Sequence, residues 1–377
     1  MADFDFIIAG SGIAGASAAA FLSARARVAV LEREGAHGYH TTGRSAALYS
    51  PLYGNAAFRA LTVASRPFFD APPRGFADHP ILTPRGVLYI AAEGRTAGLE
   101  AVADGAAALG IRTERLAPDE AIGLCPVLRR DNLAAALAEP DAMDIDVEAL
   151  HQGFLRLARG HGASVRLDAE IVGLERRDGA WRVRLSQGDE LTARVVINAA
   201  GAWADRLAGL AGVGPLGLAP LRRTAFIVEA PEGTDPSAWP SVIDAGETFY
   251  FKPDAGRILV SPADETPSDP MDAWAEDLTI AECVERLQVA ADLPVRRILR
   301  SWAGLRTFAP DRAPVIGYDP EVEDFFWLAG QGGYGVQSSP AAGAVAAALA
   351  LGEHLPGDVG ALGLTAEQIS PARLRLS

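Results

Sequence analysis

The spacing of apolar positions changes several times along this chain of 377 residues, and each change predicts an element. Phe4 to Ala9 is a short continuous apolar run, the pattern of a strand buried on both faces. Gly10-Ser11-Gly12-Ile13-Ala14-Gly15 follows directly. Ala16 to Ala24 predicts a helix, and Val28 to Leu31 a second strand that ends on an acid, Glu32. Gly35 to Asn55 is rich in Gly, Ser, Thr, Tyr and His and predicts a loop that covers a site. Ile81 to Ala92 reads as one strand, then Ala97–Ala108 and Pro118–Leu124 as helices. Asp144 to Gly160 reads as an amphipathic helix, with Ile145, Leu150, Phe154, Leu155 and Ala158 near helical spacing. Ala163 to Leu185 reads as a strand, a bend at Arg177-Asp178-Gly179, and a second strand. Leu191 to Ile197 is a buried strand running into Asn198-Ala199-Ala200-Gly201-Ala202-Trp203. Short strands then dominate from Leu221 to Ser261 and predict an antiparallel sheet. Phe325 to Ala329 returns to a buried strand, followed by the glycine-rich turn Gly330 to Gly335 and an Ala-rich helix from about Pro340 to Leu351.

The first unit carries chemistry. G-x-G-x-x-G between a strand and a helix, with an acid ending the next strand, is the fingerprint of a dinucleotide site. Gly10 permits the tight turn, Gly12 lets the backbone approach a pyrophosphate, and Gly15 lets the helix pack close to the strand. The helix start offers free N–H groups and the positive end of its dipole. Glu32 suits ribose hydroxyls and repels a 2′-phosphate.

Composition bounds the rest. A chain this long, 49% hydrophobic, can bury a large core and suggests two domains or one domain with a large insertion. Its net charge of −14 disfavours nucleic acid and anionic membranes as partners. Two unpaired cysteines, Cys125 and Cys283, suit a reducing compartment, and a cytoplasmic location is expected. The first residues read as a nucleotide-binding strand rather than a signal peptide, and no apolar run is long enough to span a membrane. Histidine spacing predicts no metal site.

Three groups of residues carry a resemblance. They are the N-terminal unit, the Asn198 to Trp203 strand end, and Trp302-Ala303-Gly304-Leu305-Arg306 with Pro310-Asp311 and Pro314-Val315-Ile316-Gly317. Together with the last glycine turn they resemble the D-amino acid oxidase superfamily of flavoproteins across nearly the whole chain. Gly38 to Ala47, Tyr53-Gly54, Val127 to Asp131, Gly217-Leu218 with Arg222-Arg223, Phe249-Tyr250 and Lys252 to Gly256 are similar to the bacterial FAD-dependent D-arginine dehydrogenases.

The resemblance implies an α/β FAD-binding domain, Rossmann-like and of the glutathione-reductase type. An inserted α+β substrate domain built on an antiparallel sheet completes it. The expected division is 1–80, 145–206 and 306–377 for FAD, and 81–144 and 207–305 for substrate. It also implies non-covalent FAD and oxidation of a D-amino acid to its imino acid, then hydrolysis to a 2-oxo acid and ammonia. The electron acceptor is left open among a quinone, a carrier protein and oxygen, and the chain is expected as a monomer or homodimer.

By the same resemblance, Arg223 and Arg306 converge on the substrate carboxylate, a task suited to planar bidentate pairing; Arg222 is the alternative to Arg223. Tyr53 and Tyr250 close over the substrate, and backbone near Gly333 receives its amine. No obligatory general base is expected. Cofactor contacts fall to Gly10, Gly12, Ile13, Ala14, Gly15, Glu32, Arg33, Thr42, Ser45, Ala46, Ile171, Ala200, Gly201, Gly304, Gly332, Gly333, Tyr334, Gly335 and Val336.

The chain departs from the D-arginine dehydrogenases in the side-chain pocket. Val87 stands where they hold an acid for the guanidinium, and Leu48 where they have histidine. With Ser241 and Ile243 beside them, an apolar or aromatic D-amino acid is the expected substrate. The alternative is oxidation of small or secondary amino acids with oxygen, as in sarcosine and glycine oxidases. A flavoprotein with structural FAD and an NAD-dependent dehydrogenase are the competing classes. Against the dehydrogenase stands the lack of a contiguous second half of the Rossmann sheet.

Overall fold

The computed structural model describes residues 2–375. Eight strands form the nucleotide-type sheet: β1 (Phe4–Ala9), β2 (Val28–Leu31), β9 (Ser164–Arg166), β10 (Ile171–Arg177), β11 (Ala180–Leu185), β12 (Glu190–Asn198), β19 (Val315–Tyr318) and β20 (Phe325–Ala329). Its centre is parallel, with β20, β12, β1, β2 and β9 side by side. A second sheet of nine strands holds β5 (Val87–Ala91), β6 (Glu114–Leu116), β7 (Ala135–Glu139), β13 (Ala219–Val228), β14 (Ser241–Asp244), β15 (Tyr250–Asp254), β16 (Arg257–Ser261), β17 (Thr266–Pro267) and β18 (Arg300–Phe308). It is antiparallel except where β14 meets β5. A small sheet of β3 (Leu48–Tyr49), β8 (Met143–Ile145) and β4 (Leu82–Pro84) lies between them in the chain's path. This is the α/β fold with an antiparallel sheet that the sequence predicts.

The nucleotide-type sheet is covered on one face by small-residue helices. α1 (Ile13–Leu22) packs against α8 (Gly335–Ala350), and a Cβ on Gly343 would meet Ser17 at 2.8 Å. Alanine and glycine are needed there because the helices nearly touch along their backbones. α2 (Ala56–Asp70) and α5 (Val147–Gly160) flank that pair. The other face buries Trp181 and Trp327 beneath α6 (Ala204–Leu210). The second sheet turns Leu88, Phe226, Val242, Phe251 and Val260 away from the first. α4 (Pro118–Leu124) and α7 (Asp277–Ala290) help bury that face, which also encloses Cys125 and Cys283; burial pushes both thiols up to about 12. α3 (Ala97–Leu109) lies against β5, where Leu99 joins Val87 and Tyr89. No helix among the described residues is long and apolar enough to cross a membrane.

Four elements differ from their sequence reading. The single strand expected from Ala163 to the bend at Arg177 is two, β9 and β10, at opposite ends of the sheet order, because the chain turns at Asp168, where φ is +51°. The strand expected over 81–92 is two strands in different sheets, broken at Arg85-Gly86, where Gly86 has φ +71°. The helix expected from Asp144 begins at Val147, because Asp146 caps it by accepting the Ala149 N–H at 2.8 Å, and Ile145 belongs to β8. α8 starts at Gly335 rather than Pro340. The Val336 carbonyl that Pro340 cannot bond is taken by the Ser339 hydroxyl at 2.9 Å, so the proline sits inside the helix.

The approach of α1 to β1 is closest at Gly15, where an added Cβ would lie 2.0 Å from the Gly10 carbonyl oxygen. Backbone cannot yield to that contact, so Gly15→Ala should lose about 2–3 kcal/mol of stability, measured by urea unfolding.

Candidate active site

A cleft of about 830 Å³ runs between the two sheets. One end lies over the first glycine turn. Gly10, Gly12, Ile13, Ala14, Glu32 and Arg33 line it, and Ile171, Ala200 and Gly201 form its side. Gly10 has φ +100°, and a Cβ there would sit 2.6 Å from the Ala199 carbonyl oxygen. The turn is braced from behind. Ser11 donates its N–H at 2.8 Å and its hydroxyl at 2.9 Å to Glu32, and Ile13 N–H donates to Thr42 Oγ1 at 3.0 Å. Buried His151 donates Nε2–H to the Ser11 carbonyl at 2.7 Å, and burial lowers its pKa, so the ring is held neutral. The next two donors of α1, Ala14 and Gly15, have no partner among the described residues and face the N-terminal end of the helix.

Further along, Thr42, Ser45, Ala46, Gly304, Gly332, Gly333, Gly335 and Val336 line the cleft. Two expected contacts do not. Gly15 is packed on Gly10, as its role in close helix packing requires, and the Tyr334 ring turns toward Phe58 and Tyr53, with centroids 4.6 and 4.7 Å away. The Gly35 to Asn55 segment does form a wall. It is latched by Arg44, which donates to the Ala273 and Ala303 carbonyls at 2.9 Å and pairs with Asp272 at 2.5 Å.

The other end of the cleft brings together Tyr53, Arg223, Tyr250, Arg306 and Gly333. The antiparallel register of β13 on β18 decides which arginines face inward. Arg223 pairs with Gly304 and Leu221 with Arg306, which places Arg223 and Arg306 on one face and Arg222 on the other. Arg222 bonds Glu276 and lies near Asp264, away from the cleft. Arg306 donates to the Tyr53 hydroxyl at 2.7 Å. Burial opposes its charge, but Tyr53 and Tyr250 facing it leave the pKa raised overall, so the guanidinium stays charged. Gly333 lies beneath it, where a Cβ would meet Nη1 at 2.7 Å. Arg223 donates to the Asp264 carbonyl at 2.7 Å and reaches Glu265 at 3.3 Å; Arg312 shares that carboxylate at 2.9 Å. Arg306 therefore has no carboxylate partner among the described residues, whereas Arg223 already has one.

The side pocket is lined by Leu48, Val87 and Ile243 as expected, but not by Ser241. Ser241 lies across the ladder from Val87, fully buried, with its hydroxyl unpartnered. The pocket is not wholly apolar. Ser50, Tyr89 and Gln337 also line it, and the first two donate to Glu139, at 2.8 and 3.0 Å from Ser50 and 3.2 Å from Tyr89. Glu139 is directly opposite Val87 on β7 and only 1% exposed. Burial lifts its carboxyl from 4.5 to about 7, against the pull of the two hydroxyls. Tyr89 was within reach of the sequence, since it is two residues beyond Val87 on one strand and so shares its face. Glu139 carries no such signal, because the pairing of β5 with β7 spans the whole of α3, β6 and α4.

The family and the fold are shown by comparison with known proteins. The model of the DAO family, described as FAD dependent oxidoreductase, matches residues 5–349. Glycine oxidase of Geobacillus kaustophilus is 26% identical over 258 residues, 68% of this chain and 67% of that protein. Its crystal structure superposes with a TM-score of 0.82 at 23% identity, covering 94% of this chain and 96% of that one. The mitochondrial sarcosine dehydrogenase of Mus musculus is 25% identical over 234 residues, 58% of this chain but only 25% of that protein. These relatives are named for glycine and sarcosine rather than for D-arginine.

Glu139 gives a pH signature. Its folded pKa lies above its unfolded value, so the folded state binds more protons between pH 4.5 and about 7, and stability falls as pH rises through that window. Over the window the loss should be of order 3 kcal/mol. Glu139→Gln should remove that slope in urea titrations run across it; an unchanged slope would assign it to other groups.

Proposed function

The chain belongs to the DAO family of FAD-dependent oxidoreductases, and from that premise we propose that it oxidises the C–N bond of a small primary or secondary amino acid to the imine. The residues of the cleft fit FAD. Gly10 turns tightly against the Ala199 carbonyl with no room for a Cβ, free N–H groups remain at the start of α1 for a pyrophosphate, and Glu32 lines the adenosine end. At about 830 Å³ the cleft is near the top of the roughly 300–1,000 Å³ usual for small-molecule sites. When bound, FAD accepts the hydride from the substrate α-carbon.

The observation that carries the reading is Arg306. A charged guanidinium held by the Tyr53 hydroxyl, with no carboxylate of its own, is an anchor for a substrate carboxylate. Tyr53 and Tyr250 both face it in the cleft and would keep water from the bond. Gly333 lets backbone lie against the guanidinium, close to where the amine of an anchored amino acid falls. The likeness to glycine oxidase supports a small substrate. A second reading, a D-amino acid with a larger side chain, is supported by the pocket at Leu48, Val87 and Ile243, which glycine would leave unfilled.

Anaerobic mixing separates the two readings. Bleaching of the flavin by glycine or sarcosine supports the first, and bleaching by D-leucine or D-phenylalanine supports the second. If no amino acid reduces the flavin, both are wrong. Arg306→Lys should lower kcat/KM by about 100-fold, mostly through KM, because the ammonium loses the bidentate geometry.

A further inference from the structure

One titratable group just behind the wall of the cleft has no part in the oxidation just described. Glu139 is buried with no base in salt-bridge range among the described residues; its partners are the hydroxyls of Ser50 and Tyr89. The bases of the adjoining segments, Arg85 and Lys252, are both committed to Asp144, at 2.6 and 2.5 Å. A buried carboxyl without a counter-ion costs stability, and groups that bear this cost beside a cleft cluster at functional sites.

The geometry suggests the use. A hydroxyl that donates its only proton to Glu139 has just lone pairs left for the cavity. Ser50 and Tyr89 both line the cavity, so this part of its wall accepts hydrogen bonds and is backed by a carboxylate. Arg306 and Arg223 stand on β18 and β13, at the other end of the strand order from β5 and β7. Ile243 on β14 stands between the two ends, and with Leu48 and Val87 it gives the cleft an aliphatic wall. We propose that Glu139, acting through Ser50 and Tyr89, forms a subsite for a cationic, hydrogen-bond-donating group at the end of the substrate away from its carboxylate. The matching ligand has a carboxylate, an aliphatic stem and a terminal ammonium or similar N–H donor. The inference rests on the amino acid reading only for the carboxylate anchor at Arg306.

The groups facing Glu139 are Tyr89 from β5, Tyr49 from β3 and Asp141 just after β7, and none supplies a positive charge. Above about pH 7 the carboxylate is ionised and holds both hydroxyl protons. Below that pH it carries its own proton and donates it to one hydroxyl, whose proton then turns to the cavity. Recognition of a cation weakens accordingly.

The test uses the FAD-loaded enzyme and ligands without an α-amine, which bind but are not oxidised. Three pairs differ only in a terminal ammonium or methyl: 4-aminobutanoate and pentanoate, 5-aminopentanoate and hexanoate, 6-aminohexanoate and heptanoate. Binding is read from the change in flavin absorbance. For at least one pair the ammonium ligand should bind about 10-fold tighter at about pH 8.5, and the advantage should shrink below about pH 7. Glu139→Gln should abolish the advantage while the methyl ligands bind as before. Should that variant not fold, Tyr89→Phe with Ser50→Ala makes the same comparison. Equal or tighter binding of every methyl ligand overturns the subsite, as does an advantage that survives the substitutions. If neither class binds, the subsite fails together with the Arg306 anchor. Flavin reduction by glycine, sarcosine or D-leucine is read separately, so failure of the oxidation and failure of the subsite remain distinct.

Discussion

The ladder between β13 and β18 sets everything at the substrate end of this molecule. Nine residue pairs run from Ala219 opposite Phe308 to Ile227 opposite Arg300. Because side chains alternate across a strand, this register puts Arg223, Gly304 and Arg306 on the face toward the cleft and Arg222 on the other. A slip by one residue would put Arg222 opposite Arg306 and carry Arg223 to the other face. The register is pinned from the far side, where Phe226 and Val228 are locked into the apolar core. Packing on one face of the sheet thus specifies the chemistry on the other.

The nucleotide end obeys a different constraint, the closeness of backbones. Gly10 lies against Ala199, Gly15 against Gly10, and Gly343 against Ser17. These contacts stack turn, strand and helices tightly enough that the N-terminus of α1 opens directly into the cleft. The small residues leave little side-chain surface to adapt, so the site is rigid by construction. The substrate end is softer in composition, built from tyrosines, a serine, a glutamine and arginines that hold one another by hydrogen bonds.

Much of this was legible in the chain. The strand–turn–helix–strand unit, the return of buried strands at 191–197 and 325–329, and the sheet-forming stretch after Leu221 are local patterns, and each element is where its pattern places it. The errors are also local in cause. Hydrophobic spacing carried the helix back over Ile145, where a capping aspartate ends it, and carried one strand across Gly86, where the backbone turns. The site divides the same way. Tyr53, Tyr250, Arg223 and Arg306 could be named from motifs and all line one cleft, with Arg223 already paired to Glu265. Glu139 could not, because its importance lies in facing Val87 across a ladder, and nothing near residue 139 records that partner. Judged from Val87 alone the pocket has lost its acid, yet the fold sets one behind the pocket wall, on the neighbouring strand.

The two cysteines are sealed behind the second sheet, one just after α4 and one on α7, with their thiols raised to about 12. A thiol held that high has almost no thiolate at neutral pH, and alkylating reagents attack the thiolate. Labelling must then wait for the helices on that face to lift away. The chain thereby carries a built-in clock for the opening of its second sheet, since the rate of alkylation reports that event at native side chains.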